Sequence, residues 1–445
     1  MQSWKGKSNE EGAKVSRQRD GRGYGPKEKP RHLYLVLDDW SWGYSIRKID
    51  LSFSDSIRKI YLSLCDDDDD SDPKLIPIDD GQTGAIYNGL PSALIRFPGR
   101  RGEPKSILGA FDNMILAMQP LDYQVNNLVQ HYSTAIDIRM RTYIDGPWQD
   151  TWQDVRNPIC IPVGGKLFFL GDDSFRMLCQ SYDDTCICNT AWVWSELPKP
   201  IFQYELVTSY AVHPDERTIF VSGSFGVPTT FSIDTADPAT FSSEEPIIRE
   251  WKQHGLWQLP FTGRGYFDPE LDAWIGLSTE LDTIGHIVSC DVASPDSDRN
   301  QQQCSSLKFS KERLFSEVPT QRHIGATLVY MGGESKFCLL EGIYIQAGIA
   351  DQPTGCGEMK FVDELNETEA DKYSACELDD ERNEFSDSEV NEEQDQKRFL
   401  RLTTFSLKYD MNGDLTTGNS RRVCYYSLPQ EVTDPMLKYP VAFWI

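Results

Sequence analysis

Residues 326–345 read ATLVYMGGESKFCLLEGIYI, two runs of apolar and β-branched residues on either side of Gly332-Gly333. Each run has the composition of a β-strand bounded by a turn signal. Glycine adopts the positive φ that a tight turn requires at no steric cost. The stretch therefore predicts two strands joined by a glycine turn, and similar stretches recur along the chain.

Short apolar runs bounded by Gly, Pro, Asp or Asn continue from residue 32 to the end of the sequence. Helical periodicity is weak throughout, and no segment has the spacing of an amphipathic helix of three turns or more. We therefore predict an all-β protein. The clearest further runs are HLYLVLDDW (32–40), KSILGAFDNMILAMQ (105–119), GGKLFFLGDD (164–173), ERTIFVSG (216–223), DAWIGLS (272–278), RLTTFSLKYD (401–410) and PVAFWI (440–445).

The runs are grouped into repeated units. A unit begins with an apolar strand broken by Gly or Asp, continues with a second strand that ends in apolar-x-apolar-Asp, and closes on Pro. The second strand is read in YSIRKID (44–50), STAIDIR (133–139), TTFSIDT (229–235), HIVSCDV (286–292) and TTFSLKYD (403–410). A repeat of roughly 40–55 residues with four short strands is typical of a β-propeller blade.

Six candidate units start near residues 32, 105, 159, 206, 265 and 325. One four-stranded sheet cannot cover both of its own faces, whereas sheets stacked around an axis cover each other and expose only short edges. We predict a six-bladed propeller over residues 32–445. The last strand, VAFWI, is expected to pair with the N-terminal strands and to close the ring.

An eleven-residue duplication, SIRKIDLSFSD (45–55) followed by SIRKIYLSLCD (56–66), is too short to be a blade. Because eleven is odd and strand side chains alternate with a period of two, one continuous strand would send the two copies to opposite faces. We interpret it as a local duplication in which one copy, 45–49 or 56–60, forms the blade strand. The other copy is expected to be a bulged loop or an added edge strand.

Composition limits the classes of partner. A net charge of −25 and a pI near 4.6 argue against nucleic acid and against an anionic membrane surface, because both require a basic face. No run approaches the ~20 apolar residues that span a bilayer, and the first residues resemble neither a signal peptide nor a membrane anchor. The 11 Cys are scattered, which predicts reduced thiols and a cytoplasmic or nuclear location.

Three segments are too polar to belong to a packed core. Residues 1–31 carry nine Lys/Arg against four Asp/Glu and are predicted to be a disordered basic arm; a nuclear-import or RNA-contacting role for residues 5–31 is the alternative. The run DDDDDSD (66–72) is predicted to be a solvated loop. Residues 361–395, with fifteen acidic and two basic side chains, are predicted to be a disordered insertion in the last blade. There, Ser386 precedes Glu389 and is a candidate phosphorylation site.

The stretches HLYLVLDDWSWGYSIRKIDLS, YAVHPDERTIFVSG, FDPELDAWIGL and RHIGATLVYMGG resemble a family of plant proteins of unknown function, as do FSLKYDMNGDL and PVAFWI. That family is expanded in grasses and is similar to kelch-type propellers. The resemblance covers roughly 31–346 and 398–445 and implies a kelch-like fold but no established chemistry. Gly164-Gly165 and Gly332-Gly333 resemble kelch double glycines. The duplication and the acidic insertion depart from the family pattern.

Three motifs invite a chemical interpretation. Cys179, Cys186 and Cys188 have a C-x6-C-x-C spacing that matches no common zinc framework, so structural thiols are the preferred interpretation over a metal site. His213-Pro214-Asp215 is better explained as a turn than as a catalytic His–Asp pair. Residues 410–418 (DMNGDLTTG) resemble a calcium loop, but Arg421 stands where the twelfth ligand would be, and an Asn412-Gly413 hairpin turn is the simpler interpretation.

These observations predict a protein-interaction module that uses loops at one rim of the propeller, with no catalysis, no cofactor and no metal. The alternatives are an enzyme with a site in the central channel, and a substrate adaptor for ubiquitin ligation, against which the missing F-box counts. A binding module should show an apolar or aromatic rim patch. An enzyme should show convergent carboxylates, His or Tyr with perturbed titration at the channel mouth.

Overall fold

Antiparallel hairpins make up most of the structure, a computed structural model that describes residues 31–51, 86–125, 128–147, 158–171, 173–181, 191–236, 250–278, 280–295, 306–346 and 396–445. In these ranges the helical elements are one five-residue α-helix and three short 3-10 turns. The predicted all-β fold class is confirmed.

Several predictions lie outside the described residues and stay predictions. They concern the basic arm up to residue 30, the run at 66–72, the acidic insertion 361–395 with Ser386, the pair Cys186 and Cys188, and the second SIRKI copy at 56–60. The domain bounds of 1–31 and 32–445 likewise remain predictions.

The strands are numbered in chain order. They are β1 Leu33–Trp40, β2 Gly43–Ile49, β3 Ile86–Asn88, β4 Ala93–Pro98, β5 Ile107–Ala110, β6 Met114–Val125, β7 Leu128–Asp137, β8 Thr142–Asp145, β9 Ile159–Val163, β10 Lys166–Gly171, β11 Ser174–Ser181, β12 Ala191–Leu197, β13 Val207–Val212, β14 Thr218–Ser224, β15 Pro228–Asp234, β16 Lys252–Gly255, β17 Phe261–Asp268, β18 Ala273–Ser278, β19 Ile287–Asp291, β20 Lys308–Phe309, β21 Gln321–Gly332, β22 Lys336–Gln346, β23 Gln396–Ser406, β24 Lys408–Tyr409, β25 Leu415–Thr416, β26 Arg422–Ser427 and β27 Val441–Trp444. Helix α1 is Asp434–Lys438.

Within the described residues the strands form six four-stranded antiparallel units. In sheet order they are β27-β1-β2-β4, β5-β6-β7-β8, β9-β10-β11-β12, β13-β14-β15-β16, β17-β18-β19-β20 and β21-β22-β23-β26. The predicted unit starts lie within four residues of the first residues of β1, β5, β9, β13, β17 and β21. The sheets do not join into one closed ring of paired strands, and the six-bladed, kelch-like propeller stays a prediction.

One detail of the predicted unit is wrong. The strand that ends in Asp is the third of its sheet and not the second, as β7, β15 and β19 show. The apolar run that precedes it folds as two strands, because the Gly or Asp that breaks the run is itself the turn. Positive φ values mark these turns at Asp112, Gly164, Glu216, Asp272 and Gly332. At Gly164-Gly165 both glycines have positive φ, as the double-glycine pattern predicts.

The first SIRKI copy, residues 45–49, lies in β2, so this copy supplies a strand of the sheet. Ile46 pairs with Val36 and Ile49 pairs with Leu33 across the β1–β2 hairpin. Both isoleucines are buried, because the two faces of this sheet are covered. Of the two copies, the N-terminal one at 45–49 is therefore the one shown to form a strand.

The first and last sheets each contain a strand from the other part of the chain. β27 pairs antiparallel with β1, from Leu33 opposite Trp444 to Val36 opposite Val441, which confirms the predicted pairing of the C-terminal strand. β3 lies between β2 and β4 in sequence, yet it pairs in parallel with β26 at the edge of the last sheet. The C-terminal part of the chain thus adds a strand to the first sheet, and the N-terminal part adds a strand to the last sheet.

The units β13–β16 and β17–β20 form one eight-stranded sheet, because β13 and β17 pair in parallel with Ser209 opposite Gly263. The half that contains β14 has two buried faces. Ile219 and Val221 pack in a cluster with Phe168 and Phe175 on one side. Phe220 packs with Phe261 and Trp274 on the other. Alternate residues of one short strand thus serve two separate cores.

A pair of glycines creates room for helix α1. Gly325 on β21 lies opposite Gly342 on β22, and a Cβ atom at either position would overlap the backbone carbonyl of Lys438 or Leu437. Leu437 is fully buried. The helix therefore sits against bare backbone, and this contact positions the segment that leads into β27.

We expect Gly342→Ala to destabilise the protein by about 1–3 kcal/mol, because the new methyl group meets a carbonyl oxygen that can move only with α1. The matched control is Gly333→Ala, where a Cβ meets nothing within 4 Å. That control should change the free energy of unfolding by less than about 0.5 kcal/mol. Urea unfolding of both variants measures the difference, and equal stability of the two would contradict the packing described here.

Candidate functional site

One end of the eight-stranded sheet gathers four connecting segments. In an antiparallel meander the β14–β15 turn returns to the end where β13 begins, and β16 finishes there too. Because β13 and β17 run in parallel, the β18–β19 turn lies at this same end. The segments are 198–206, 225–227, 256–260 and 280–286.

Exposed apolar side chains are concentrated at this end of the sheet. We call the set the apolar end, and it consists of Ile201 (65% exposed), Leu206 (40%), Val227 (48%), Leu256 (70%), Leu281 (87%) and Ile284 (41%). Single exposed apolar residues are common, whereas a group of them on neighbouring loops is characteristic of an interaction surface. The apolar end is therefore the candidate binding site.

Aromatic packing anchors the loops that carry these residues. Phe202, next to Ile201, stacks on Phe231 with ring centroids 4.7 Å apart and meets Trp251 edge-on at 5.0 Å. Its ring is also 5.3 Å from that of Phe225 in the β14–β15 turn. Phe202 and Phe225 are half-buried. Two of the four segments, 198–206 and 225–227, are thus anchored on aromatic rings.

Hydroxyl groups of the sheet fix the segment that follows Leu256. Thr230 Oγ1 donates to the carbonyl oxygen of Trp257 at 2.6 Å, and Ser222 Oγ accepts from the backbone N–H of Leu259 at 3.2 Å. Trp257 and Leu259 are buried. Leu256 is therefore held outward by buried neighbours on its C-terminal side, and its exposure is set by the backbone.

The opposite end of the same sheet is charged. Its described turns contain His213, Asp215, Glu216 and Arg217 between β13 and β14, and Glu270 and Asp272 between β17 and β18. Asp215 accepts hydrogen bonds from the N–H groups of Thr218 and Arg217 at 2.8 and 3.0 Å, which confirms the predicted turn at His213-Pro214-Asp215. Charged residues occur in the turns of both ends, and the two ends differ in the exposed aliphatic side chains, which are concentrated at the apolar end.

A charged pair is buried in the middle of the last sheet. Glu341 on β22 lies opposite Arg401 on β23, and Arg401 Nη1 is 2.9 Å from Glu341 Oε2. Tyr425, the next residue across the sheet, has its hydroxyl 3.2 Å from Arg401 Nε. All three side chains are at most 2% exposed. A buried pair of this kind needs further hydrogen bonds to offset its desolvation.

The connection between β20 and β21 supplies those hydrogen bonds. The N–H of Ser316 donates to both oxygens of Glu341 at 3.2 Å, and Arg401 donates to the carbonyl of Leu314 at 2.6 Å. His323 Nδ1 lies 2.9 Å from Glu341 Oε1, and its ring stacks on Phe315 at 4.0 Å. The arrangement ties this connection to the sheet, and we assign it a structural role.

We expect Arg401→Met to destabilise the protein by about 3–5 kcal/mol, because Glu341 would be left buried without its cation. The double variant Glu341→Leu/Arg401→Met should be markedly more stable than the single one, since neither charge is then buried. Guanidinium unfolding gives both values. A double variant that loses as much stability as Arg401→Met would show that packing, not charge pairing, dominates here.

A serine and a histidine meet inside the eight-stranded sheet. Ser232 Oγ is 2.7 Å from His254 Nε2, and His254 is 2% exposed. His254 Nδ1 has no hydrogen-bond partner among the described residues. Within the described part of the chain, the imidazole therefore has no carboxylate to orient it as in a catalytic triad. Burial, with Lys252 as a smaller contribution, lowers the pKa of His254 to about 4.

The pKa of His254 predicts acid sensitivity. The folded protein keeps this imidazole neutral while the unfolded chain binds a proton below its ordinary pKa of 6.5, so stability falls as the pH drops from about 6.5 towards 4. Replacing it with a non-titrating residue, His254→Gln, should reduce the stability lost between pH 7 and pH 5 by about 2 kcal/mol. Urea unfolding at both pH values tests this, and an unchanged loss would contradict it.

The remaining sequence motifs are placed as follows. Asp410 and Asp414 bind the ammonium group of Lys311 at 2.5 and 3.1 Å. The positive charge beside these carboxylates is therefore supplied by a lysine, where a calcium loop would hold the metal ion. The predicted hairpin turn joins β24 to β25, with Gly413 at φ 81. Cys179 lies on β11, with its sulfur 3.7 Å from the carbonyl of Val193.

Three general findings concern the described residues alone. No group of three or more His, Cys, Asp or Glu side chains is placed to hold a metal ion. No helix has both the length and the apolar composition to cross a membrane. Burial raises the pKa of the Cys160 and Cys338 thiols, which disfavours their nucleophilic thiolate forms.

Comparison with known proteins identifies a family. A family model described as "Protein of unknown function (DUF1668)" matches residues 30–425. No curated protein matches the chain.

Two solved structures show a weak similarity. One, from Bacteroides uniformis ATCC 8492, is described as a "putative 6-phosphogluconolactonase"; it is 10% identical, with a TM-score of 0.38, over 94% of this chain and 100% of that chain. The second, from Bacteroides fragilis NCTC 9343, has the same description, with 9% identity and a TM-score of 0.34 over 91% of this chain and 100% of that one. Similarity at this level assigns no activity to the chain.

Proposed function

We propose that this protein is an interaction scaffold that binds its partner through the apolar end. The chain belongs to the DUF1668 family of proteins of unknown function. The scaffold in this proposal is a six-bladed, kelch-like propeller. Such a ring presents many loops on a rigid base, an arrangement that suits recognition.

Strand pairing supports the propeller. The six units follow one another in chain order, and the first strands of two neighbouring units, β13 and β17, lie side by side in parallel, as first strands around a common axis do. β27 adds to β1 and so joins the end of the chain to its beginning. In such a ring β27 is the innermost strand of the first blade.

The contrast between the two ends of the eight-stranded sheet carries the functional proposal. One end has six exposed aliphatic side chains, three of them on loops that Phe202 and Phe225 anchor, whereas the β13–β14 and β17–β18 turns of the other end contain no exposed large apolar side chain. In the propeller arrangement the β1–β2 turn faces the same rim as the apolar end, and it contains Trp42, which is 74% exposed. Tryptophan is among the residues that contribute most to protein interfaces.

The enzyme alternative has a narrower basis. His323 and Glu341 form a histidine–carboxylate pair on the first two strands of the last sheet. Glu341, however, is already held by Arg401 and by the backbone of Ser316. We therefore favour binding over catalysis. A cytoplasmic or nuclear location in a plant cell completes the proposal, and it is supported by the thiols of Cys160, Cys179, Cys338 and Cys424, which form no disulfide among the described residues.

The proposal is tested with the double variant Leu256→Asp/Leu281→Asp. Both side chains are exposed, so the fold should tolerate the change while an apolar contact would not. Proteins captured from native tissue by the wild-type chain are identified, produced in pure form and titrated against wild type and variant. We expect the dissociation constant of the true partner to rise about tenfold or more.

The matched control is Met140→Asp/Met411→Asp, two exposed apolar residues outside the apolar end. This control should bind as the wild type does, and circular dichroism should give equal melting temperatures for all three proteins. Loss of binding in the control, or unchanged binding by Leu256→Asp/Leu281→Asp, would refute the assignment of the apolar end.

A further inference from the structure

We infer that the partner of the apolar end is a basic amphipathic helix, with lysine or arginine beside its apolar face. The inference rests on the proposed function and adds the chemistry of the partner. It is carried by three carboxylates interleaved with the exposed aliphatic side chains, and by the dimensions of the sheet.

The carboxylates lie next to Leu206 and Leu281, two of the exposed residues of the apolar end. Glu205 precedes Leu206, while Glu280 and Asp282 flank Leu281, and all three acidic side chains are exposed. They stand on the loops that lead into β13 and join β18 to β19. Leu206 and Leu281 are thus directly bordered by negative charge.

These three carboxylates have no ion-pair partner among the described residues, although acidic groups elsewhere do. Asp410 and Asp414 share Lys311, and Asp215 and Asp234 share Arg217. Lys199 is the cation of the 198–206 loop, so the charge of this end remains negative on balance. A partner that covers the aliphatic side chains would meet unpaired carboxylates, and cationic side chains would complement them.

The dimensions of the sheet favour a helix. From β15, which follows Val227, to β19, which follows Ile284, the sheet order β15-β14-β13-β17-β18-β19 contains five strand spacings. Measured along the sheet at ~4.8 Å per spacing, the part of the apolar end from Val227 to Ile284 is about 24 Å long, and Leu256, which follows β16, lies one spacing further out. An α-helix of about 16 residues has this length, and its one-turn rise of ~5.4 Å is close to the strand spacing. Successive turns of a helix could therefore place apolar residues over successive strands.

The test uses three synthetic 18-residue peptides as probes. One is an amphipathic leucine–lysine helix, the second has the same composition with the amphipathic order scrambled, and the third is a leucine–glutamate helix. Binding to the full-length chain is followed by fluorescence polarisation. We expect the first peptide to bind at least tenfold more tightly than either of the others.

Two matched triple variants locate the binding. Glu205→Gln/Glu280→Gln/Asp282→Asn removes three charges at the apolar end, and Glu216→Gln/Glu270→Gln/Asp272→Asn removes three at the opposite end. The net charge changes equally, so a non-specific attraction to an acidic protein would respond equally to both. We expect about tenfold weaker binding in the first variant and less than a twofold change in the second. The difference should shrink at high salt.

Equal effects of the two triple variants, or equal binding of the leucine–lysine and leucine–glutamate helices, would overturn the inference. Tight binding of the scrambled peptide would overturn the helical part of it. The proposed function fails by a separate result, which is capture of the native partner that is insensitive to Leu256→Asp/Leu281→Asp. The two failures are therefore distinguishable.

Discussion

The inner strands of the described four-stranded units, such as β1 and β14, depend on being covered on both faces. In β1 the first six residues, from Leu33 to Asp38, are all buried, although consecutive side chains point to opposite sides of the sheet. A sheet with two apolar faces is unstable in water unless other layers lie on each side. This constraint explains why the chain repeats one four-stranded unit and why its ends pair with each other.

Because of this constraint, the strands and the starts of the repeated units can be predicted from the sequence. Strands that are apolar on both faces appear as short apolar runs, and the turns between them carry glycine or aspartate because those positions need positive φ. The unit starts could therefore be located. The predicted order of strands within a unit is wrong, because in sequence a turn such as Asp112 resembles an interruption within one strand. How the units pack against one another depends on long-range contacts, which local patterns do not encode.

The candidate site was far less visible in the sequence. Leu256 and Leu281 are ordinary leucines, and only the three-dimensional arrangement brings their loops to one end of a sheet. Glu341 and Arg401 offered a usable signal, because a charged residue within an apolar strand must find a partner. Asp410 and Asp414 gave the opposite lesson. Their calcium-like spacing serves a hairpin whose carboxylates are neutralised by a lysine 99 residues away from Asp410.

The placement of β3 has a mechanical consequence. The first sheet receives β27 from the C-terminal part of the chain, and the last sheet receives β3 from the N-terminal part. This is a reciprocal strand exchange across the seam where the two termini of a repeat array would otherwise separate. Pulling the seam apart requires two sets of backbone hydrogen bonds to break in different sheets at once. The contact between the first and last sheets is therefore stabilised by two strand pairings, β27 with β1 and β3 with β26.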